Sequence, residues 1–226
     1  LFRSCIFKTM IRTLILDFDG TLADTQTSIL ATTHAALQEM GLPQPSDDFI
    51  RSLIGLPLKD MFLRYPGIKD EAMAQIGFDT YKRLFDPIAE QTFQLFPKVE
   101  ATLRQLHSAT SMKIITASSR MIASQKHLLG LTEIRDCFDL LCGLETVKRQ
   151  KPAPDMVLYI LEATQTDASE ALVVGDATYD ILMGRGANCR TCAVTYGNQS
   201  AEQLSSAQPD FIIDNFEEVG RLALEL

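Results

Sequence analysis

Short apolar runs recur along the chain, and each is followed by a stretch in which apolar positions return every three or four residues. The runs are RTLILDF (12–18), MKIITA (112–117), FDLLCG (138–143), ALVVGD (171–176), CRTCAVTYG (189–197) and DFIID (210–214). The helical patterns span 97–107, 120–129, 154–164, 178–186 and 215–225. Strands that are apolar throughout and alternate with helices predict an α/β core, a parallel sheet covered on both faces.

The interval 25–87 breaks this rhythm, because it holds no strand-like run but several helices with readable ends. Asp24 or Thr25 caps a first helix with Ile29, Leu30, Thr33, Leu37 and Met40 at helical spacing, and Gly41 stops it. Ser46 caps a second, with Asp47 and Asp48 in its positive first turn. Pro57 and Pro66 bracket a third, and a fourth over about 70–85 places Met73, Ile76, Tyr81, Leu84 and Phe85 on one side. An insertion of this length exceeds an ordinary α/β connection. The expected organisation is therefore a core of residues 10–24 and 88–226, an all-helical domain over 25–87, and an N-terminal extension at 1–9.

Composition narrows the function classes. The chain has 226 residues, 46% hydrophobic and 22% charged, with a formal net charge of −8. No Lys/Arg block appears, which argues against nucleic acid as a partner. No apolar segment approaches the roughly 18 residues that span a bilayer. The opening LFRSCIFKTM is a poor match to a signal peptide, so no membrane association and a cytoplasmic location are expected. Cys189 and Cys192 have C-x-x-C spacing, but neither Cys137 with Cys142 nor the three histidines supply a second ligand pair. These cysteines read as small hydrophobes in a strand, in a reduced protein. His34, His107 and His127 lie in helical stretches and read as surface or packing residues.

The chemistry lies at the strand ends, where open α/β sheets bind their ligands. The first strand delivers Asp17 and Asp19, and the second delivers Thr116, Ser118 and Ser119. RQKPAPD supplies Lys151, and VVGDATYD supplies Asp176 with Asp180 one helical turn later. Asp17, Asp19 and Asp176 brought together repel unless a divalent cation joins them, and all-oxygen ligation suits Mg²⁺. Alternation sends the side chains at 17 and 19 to one side of the strand, so one carboxylate can attack while the other moves a proton. Gly20 permits the tight turn that follows, and Thr21 anchors it. A transferring phosphoryl group needs positioned positive charge and hydrogen-bond donors, which a cation, Lys151 and Thr116 would supply.

DFDGTLADT, Thr116 closing its strand, Lys151 in KPAPD and VVGDATYD follow the order of the four motifs of the haloacid dehalogenase superfamily, which the chain resembles from Met10 onward. The resemblance implies a Rossmann-like doubly wound parallel sheet with an inserted all-helical cap domain. It implies Asp17 as a nucleophile that forms an aspartyl-phosphate, and Asp19 as the acid and base. It implies Mg²⁺ held by the Asp17 carboxylate, the Asp19 backbone carbonyl and Asp176, with Asp180 ordering the ligand set. Thr116 and Ala117 would bind phosphate with Lys151. Ser118, Arg120 and Lys59 stand as further substrate contacts, Lys59 because it is the charged residue of the loop IGLPLKD (54–60).

Asp19 argues for phosphate chemistry, since true dehalogenases of the superfamily lack an aspartate there. The histidine and arginine of phosphoglucomutase-like caps are replaced here by Ile29 and Leu58, which demotes the mutase. DGTLADT, IGLPL, TASSR, VGDATYDILMGRGA, YGN and PDFIID look most like phosphoglycolate phosphatases and nearly as much like cap-bearing pyrophosphatases. The expected protein is a Mg²⁺-dependent phosphohydrolase of a small phosphorylated metabolite, acting as a monomer or homodimer. The rival of another class is a catalytically silent regulatory module, which the intact motif side chains disfavour.

Overall fold

The structure is a computed structural model that describes residues 10–54 and 56–226. The extension at 1–9 expected from sequence, and Gly55, lie outside the described residues. Every apolar run of the sequence forms a strand: β1 (Thr13–Leu16), β4 (Lys113–Ala117), β5 (Leu140–Cys142), β6 (Ala171–Gly175), β7 (Arg190–Val194) and β8 (Phe211–Ile213). They pair in the order β5-β4-β1-β6-β7-β8, and each neighbouring pair is parallel. The chain runs outward from β1 to β5 and then returns to the other side of β1, so the switch point of the topology lies at the carboxyl end of β1.

Alternation along the strands divides the core into two layers. Leu14, Leu16, Ile114, Leu172 and Val174 share one cluster with Val99, Leu103 and Leu106 of α5 (Val99–Ala109) and with Val219 and Ala223 of α10 (Glu217–Glu225). Ile15, Ile115 and Val173 point the opposite way, onto Met156, Val157 and Ile160 of α7 (Asp155–Thr164) and Met183 of α8 (Thr178–Gly186). A sheet buried on both faces needs apolar residues at every strand position, which is why these runs are continuous rather than alternating. Among the described residues, no helix is long and apolar enough to cross a membrane.

Four helices occupy the interval that breaks the β/α rhythm: α1 (Gln26–Glu39), α2 (Asp47–Arg51), α3 (Leu58–Phe62) and α4 (Glu71–Thr92). Ser46 caps α2 by accepting from Phe49 N, and Gly41 follows α1 at φ +66°. Thr25 precedes α1 but makes no cap hydrogen bond, because its hydroxyl donates to Asp19 instead. The fourth helix continues through Pro87 to Thr92, beyond the expected end near 85. Its buried stripe is Ala74, Gly77, Tyr81, Phe85 and Ala89, whereas Ile76 is exposed. The reason is close packing: a Cβ at Gly77 would lie 2.3 Å from Phe62 Cδ1, so the small residues, not the bulky ones at 73 and 76, face α3. Where the chain leaves and re-enters the core, β2 (Ala23–Asp24) and β3 (Gln94–Leu95) pair antiparallel and tie the two connections together.

Candidate active site

The last rung between β1 and β6 pairs Leu16 with Val174, and Asp17 extends it by donating its backbone N–H to Val174 O at 2.9 Å. The Asp17 side chain therefore emerges where the ladder stops. Its Oδ1 accepts a hydrogen bond from Lys151 Nζ at 2.7 Å, and the same ammonium donates to Asp180 Oδ1 at 2.6 Å. All three side chains are buried, with Lys151 3% and Asp180 2% exposed. Asp180 sits in the first turn of α8, where its Oδ2 accepts from Ala177 N at 3.0 Å and satisfies one of the helix's orphan donors. Asp176 follows β6 and accepts from Thr21 Oγ1 at 3.2 Å and from Asn198 N and Nδ2 at 2.7 and 2.8 Å. Gly20 makes this approach possible: its φ is +87°, and a Cβ there would lie 2.1 Å from Asp176 Oδ2.

Ligand atoms of Asp17, Asp176 and Asp180 all lie within 4.8 Å of one another, a grouping that could hold a metal ion. One lysine does not balance these carboxylates. Burial, and then the charge of Asp180, push Asp17 well above the usual carboxylate range despite Lys151. The same two causes push Asp176 up to about 7. Lys151 is held above its usual value because Asp17 and Asp180 outweigh the burial that opposes its charge. A cluster of hard oxygens short of positive charge fits a divalent cation such as Mg²⁺.

Asp19 stands apart from that group. Its carboxylate accepts from Arg120 Nε at 3.0 Å and Nη2 at 2.6 Å, a two-pronged ion pair, and from the Thr25 hydroxyl. The guanidinium is capped by the Phe85 ring of α4, with 4.3 Å from Cζ to the ring centroid. Arg120 thus ties the strand-end chemistry to the helices above it, and its side chain is only 9% exposed.

These groups line a cavity of ≈ 230 Å³. Its floor carries Asp17, Asp19, Lys151 and Asp180, and Ser118, Ser119 and Arg120 flank them. The opposite wall, from α1, α3, α4 and the loop around 54–58, is apolar apart from Tyr81, Lys82 and Asp86. The expected floor residues and Arg120 are therefore together, and three other expectations need correction. Thr116 pairs with Leu16 inside the sheet, and its hydroxyl is occupied by Gln125 Oε1 at 2.6 Å and Cys142 N at 3.3 Å. Ala117 is still a rung of the β4–β5 ladder and does not line the cavity. Ser118, the first residue past that strand and expected as a further substrate contact, does, so the hydroxyl reaching the cavity is Ser118's and not Thr116's. Lys59 points elsewhere, to Glu71 at 3.5 Å, while Lys82 reaches the cavity rim. Asn198 was missed as a partner of Asp176, although its place just past β7 is the same strand-end signal that found the aspartates.

Residues 14–194 match the family model of the haloacid dehalogenase-like hydrolases. The chain belongs to this family. A "Probable phosphatase IndB" of Dickeya dadantii is 33% identical over 91% of this chain and 90% of its own length. A phosphoglycolate phosphatase of Vibrio parahaemolyticus is 28% identical over 92% of this chain and 94% of its own. A "Putative pyrophosphatase PpaX" of Clostridium perfringens is 31% identical over 91% of this chain and 94% of its own length. A solved "Putative haloacid dehalogenase-like hydrolase" from Bacteroides fragilis superposes with a TM-score of 0.87 at 26% identity, covering 92% of this chain and 99% of that one. Within the family's fold, Asp17, Asp19, Asp180 and Lys151 meet on the cavity floor through residues up to 163 positions apart in sequence, Asp17 to Asp180.

Proposed function

We propose that the protein is a Mg²⁺-dependent phosphohydrolase that cleaves small phosphorylated metabolites through an aspartyl-phosphate on Asp17. The observation that carries this reading is Asp17 on the cavity floor, hydrogen-bonded to Lys151 and adjoining Asp176 and Asp180, with Asp19 two residues on. The free oxygen of Asp17 attacks phosphorus, the bond from phosphorus to the ester oxygen breaks, and Asp19 gives the departing oxygen its proton. In the second half, Asp19 takes a proton from water as the water oxygen attacks phosphorus, which releases phosphate and restores the Asp17 carboxylate. For either transfer, an oxygen of Asp19 must leave its hydrogen bond to Arg120 or Thr25.

Lys151 and the Ser118 hydroxyl supply donors for the phosphate oxygens. Asp17, Asp176 and the Asp19 carbonyl would hold Mg²⁺ by the family resemblance, and Asp180 is close enough to join or orient that set. The cation supplies positive charge to the transferring oxygens. We read the helices α1 to α4 as the cap, whose departure and return are tied at β2–β3 and whose closure excludes water during the first step.

The names of the relatives favour two substrates, phosphoglycolate and pyrophosphate. The test is phosphate release by the purified protein with Mg²⁺ over about two dozen phosphorylated metabolites plus pyrophosphate. Activity that requires Mg²⁺ and vanishes in Asp17→Asn is expected. No release from any compound, or full activity in Asp17→Asn, overturns the reading.

A further inference from the structure

The two walls of the cavity differ in what they can recognise. The floor is ionic, but the wall facing it presents Ile54, Leu56, Leu58, Met61, Phe78 and Phe85. Phosphoglycolate and pyrophosphate each carry a second anionic group beyond the phosphoryl that is transferred, and that group would have to lie against this wall. An anion moved from water onto apolar surface needs a cation or several hydrogen-bond donors to offset its desolvation.

The cations of the lining are poorly placed to serve it. Lys151 is held by Asp17 and Asp180, and Arg120 by both oxygens of Asp19. Lys82 is exposed, with its Nζ 5.4 Å from the centre of the Phe78 ring, and Asp86 lines the same wall. Over the whole lining, Asp17, Asp19, Asp86 and Asp180 face Lys82, Arg120 and Lys151. A second anion beyond the floor would therefore meet mainly hydrocarbon, with the Tyr81 hydroxyl, the exposed Lys82 and Asp86 as the polar groups of that wall.

We propose that the leaving group taken by this site is an uncharged alcohol with a compact apolar or aromatic body, seated against Leu56, Leu58, Met61 and Phe78. This rests on the phosphohydrolase reading and sharpens it. Size agrees: an apolar cavity of roughly 150 Å³ accommodates benzene, so ≈ 230 Å³ holds a phosphoryl group and a leaving group of about one ring. Ile29 extends the same wall, whose polar groups are Tyr81, Lys82 and Asp86, too few to grip the several hydroxyls of a sugar.

The test compares kcat/KM, with Mg²⁺ present, for phosphate esters of primary alcohols and for the anhydride pyrophosphate. Ethyl, butyl, hexyl and 2-phenylethyl phosphate form the apolar series, with glycerol 3-phosphate, phosphoglycolate and pyrophosphate as the polar set. Burial of each added methylene is expected to raise kcat/KM by about fourfold until the cavity is full, mainly through KM. The 2-phenylethyl ester should exceed each polar compound by about tenfold or more. Replacing the half-buried Leu58 by Asn should lower the ratio of 2-phenylethyl to ethyl phosphate, a readout that partial unfolding does not move. Equal or better turnover of any polar compound, or a ratio unchanged in Leu58→Asn, overturns the proposal and leaves the phosphohydrolase reading intact. No phosphate release from either set overturns both.

Discussion

The floor and the roof of the cavity were built under different constraints. On the floor, Asp17 and Lys151 are placed by the end of β1 and by the connection that follows β5, with Asp176 beside them at the end of β6, so their positions follow from the sheet's register. On the roof, Leu58, Phe78 and Phe85 are placed by helix packing, in which Phe62 against Gly77 decides how α4 is rotated. Charge is concentrated where the backbone is held by parallel ladders on both sides, and hydrocarbon where helices pack. The difference is a division of surfaces: ladder-held strand ends carry the repelling charges, and the packed helices carry the hydrocarbon that faces them. Each variant below strikes one side of that division.

The largest effect is expected on the floor. Asp17→Asn should lower kcat by about 10⁴-fold or more, as removal of a nucleophile does in enzymes that act through a covalent intermediate. The same change should leave the thermal midpoint unchanged or higher, because Asn removes a carboxylate that burial and Asp180 disfavour while keeping an oxygen for Lys151. Phosphate release and a melting curve on the same sample check this. A lower midpoint together with retained activity would put the reactive charge somewhere other than the strand ends.

Lys151 is the floor's counterweight. Lys151→Met keeps the bulk of the side chain but leaves Asp17 and Asp180 without their shared cation, in surroundings where Lys151 is 3% and Asp180 2% exposed. Loss of one partner from a buried ion pair costs about 3–5 kcal/mol, readable as a lower urea midpoint. An unchanged midpoint would mean that the carboxylates are neutral without it. The roof offers the matching change, Gly77→Ala, whose Cβ would meet Phe62 and cost about 1–3 kcal/mol by overpacking.

How much of this was readable in the sequence divides along the same line. The six strands and their flanking helices follow from apolar runs and periodicity, and Asp17, Asp19, Lys151, Asp176 and Asp180 follow from lying at or just beyond strand ends. Thr116 failed because strand ends are uncertain by a residue or two, and a shift of two decides between a hydroxyl buried against Gln125 and one that reaches the cavity. The rotation of α4 was not readable, since Met73 and Ile76 carry the helical period as well as Ala74 and Gly77 do. Only the presence of Phe62 on the neighbouring helix selects the small residues, and that contact is tertiary. Asn198 carries the strand-end signal of its place just past β7, but its pairing with Asp176 becomes visible only once β7 is known to lie beside β6.

A cation would alter the floor in a way that titration detects. Without metal, burial and Asp180 raise Asp17 and bring Asp176 to about 7, above the value either has in the unfolded chain. A raised carboxylate contributes stability that is complete below the unfolded pKa and is lost as pH rises through the folded one. In EDTA the thermal midpoint should therefore fall between pH 6 and pH 8, by several degrees, since 1 kcal/mol moves a chain of this size by about 2–4 °C. Added Mg²⁺ should restore more at pH 8 than at pH 6. Equal effects of Mg²⁺ at the two pH values would show that the three aspartates are not where it binds.

The smallest effects separate two lysines of the helical layer. Lys59 stands in the loop that sequence reasoning chose, yet it pairs with Glu71 at 3.5 Å and its side chain is 40% exposed. Such surface pairs contribute about 0–1 kcal/mol, so Lys59→Ala should leave kcat/KM within about twofold. Lys82 lies at the cavity rim over Phe78, and its positive charge partly offsets Asp86 for an approaching phosphate ester. Lys82→Ala should lower kcat/KM by a few-fold, through KM, and the loss should shrink as salt is added, because an exposed charge is screened within about 10 Å at 0.1 M ionic strength. If Lys59→Ala were the more damaging of the two, the roof would have to close differently over the floor, and the apolar wall would no longer be the surface that meets the substrate.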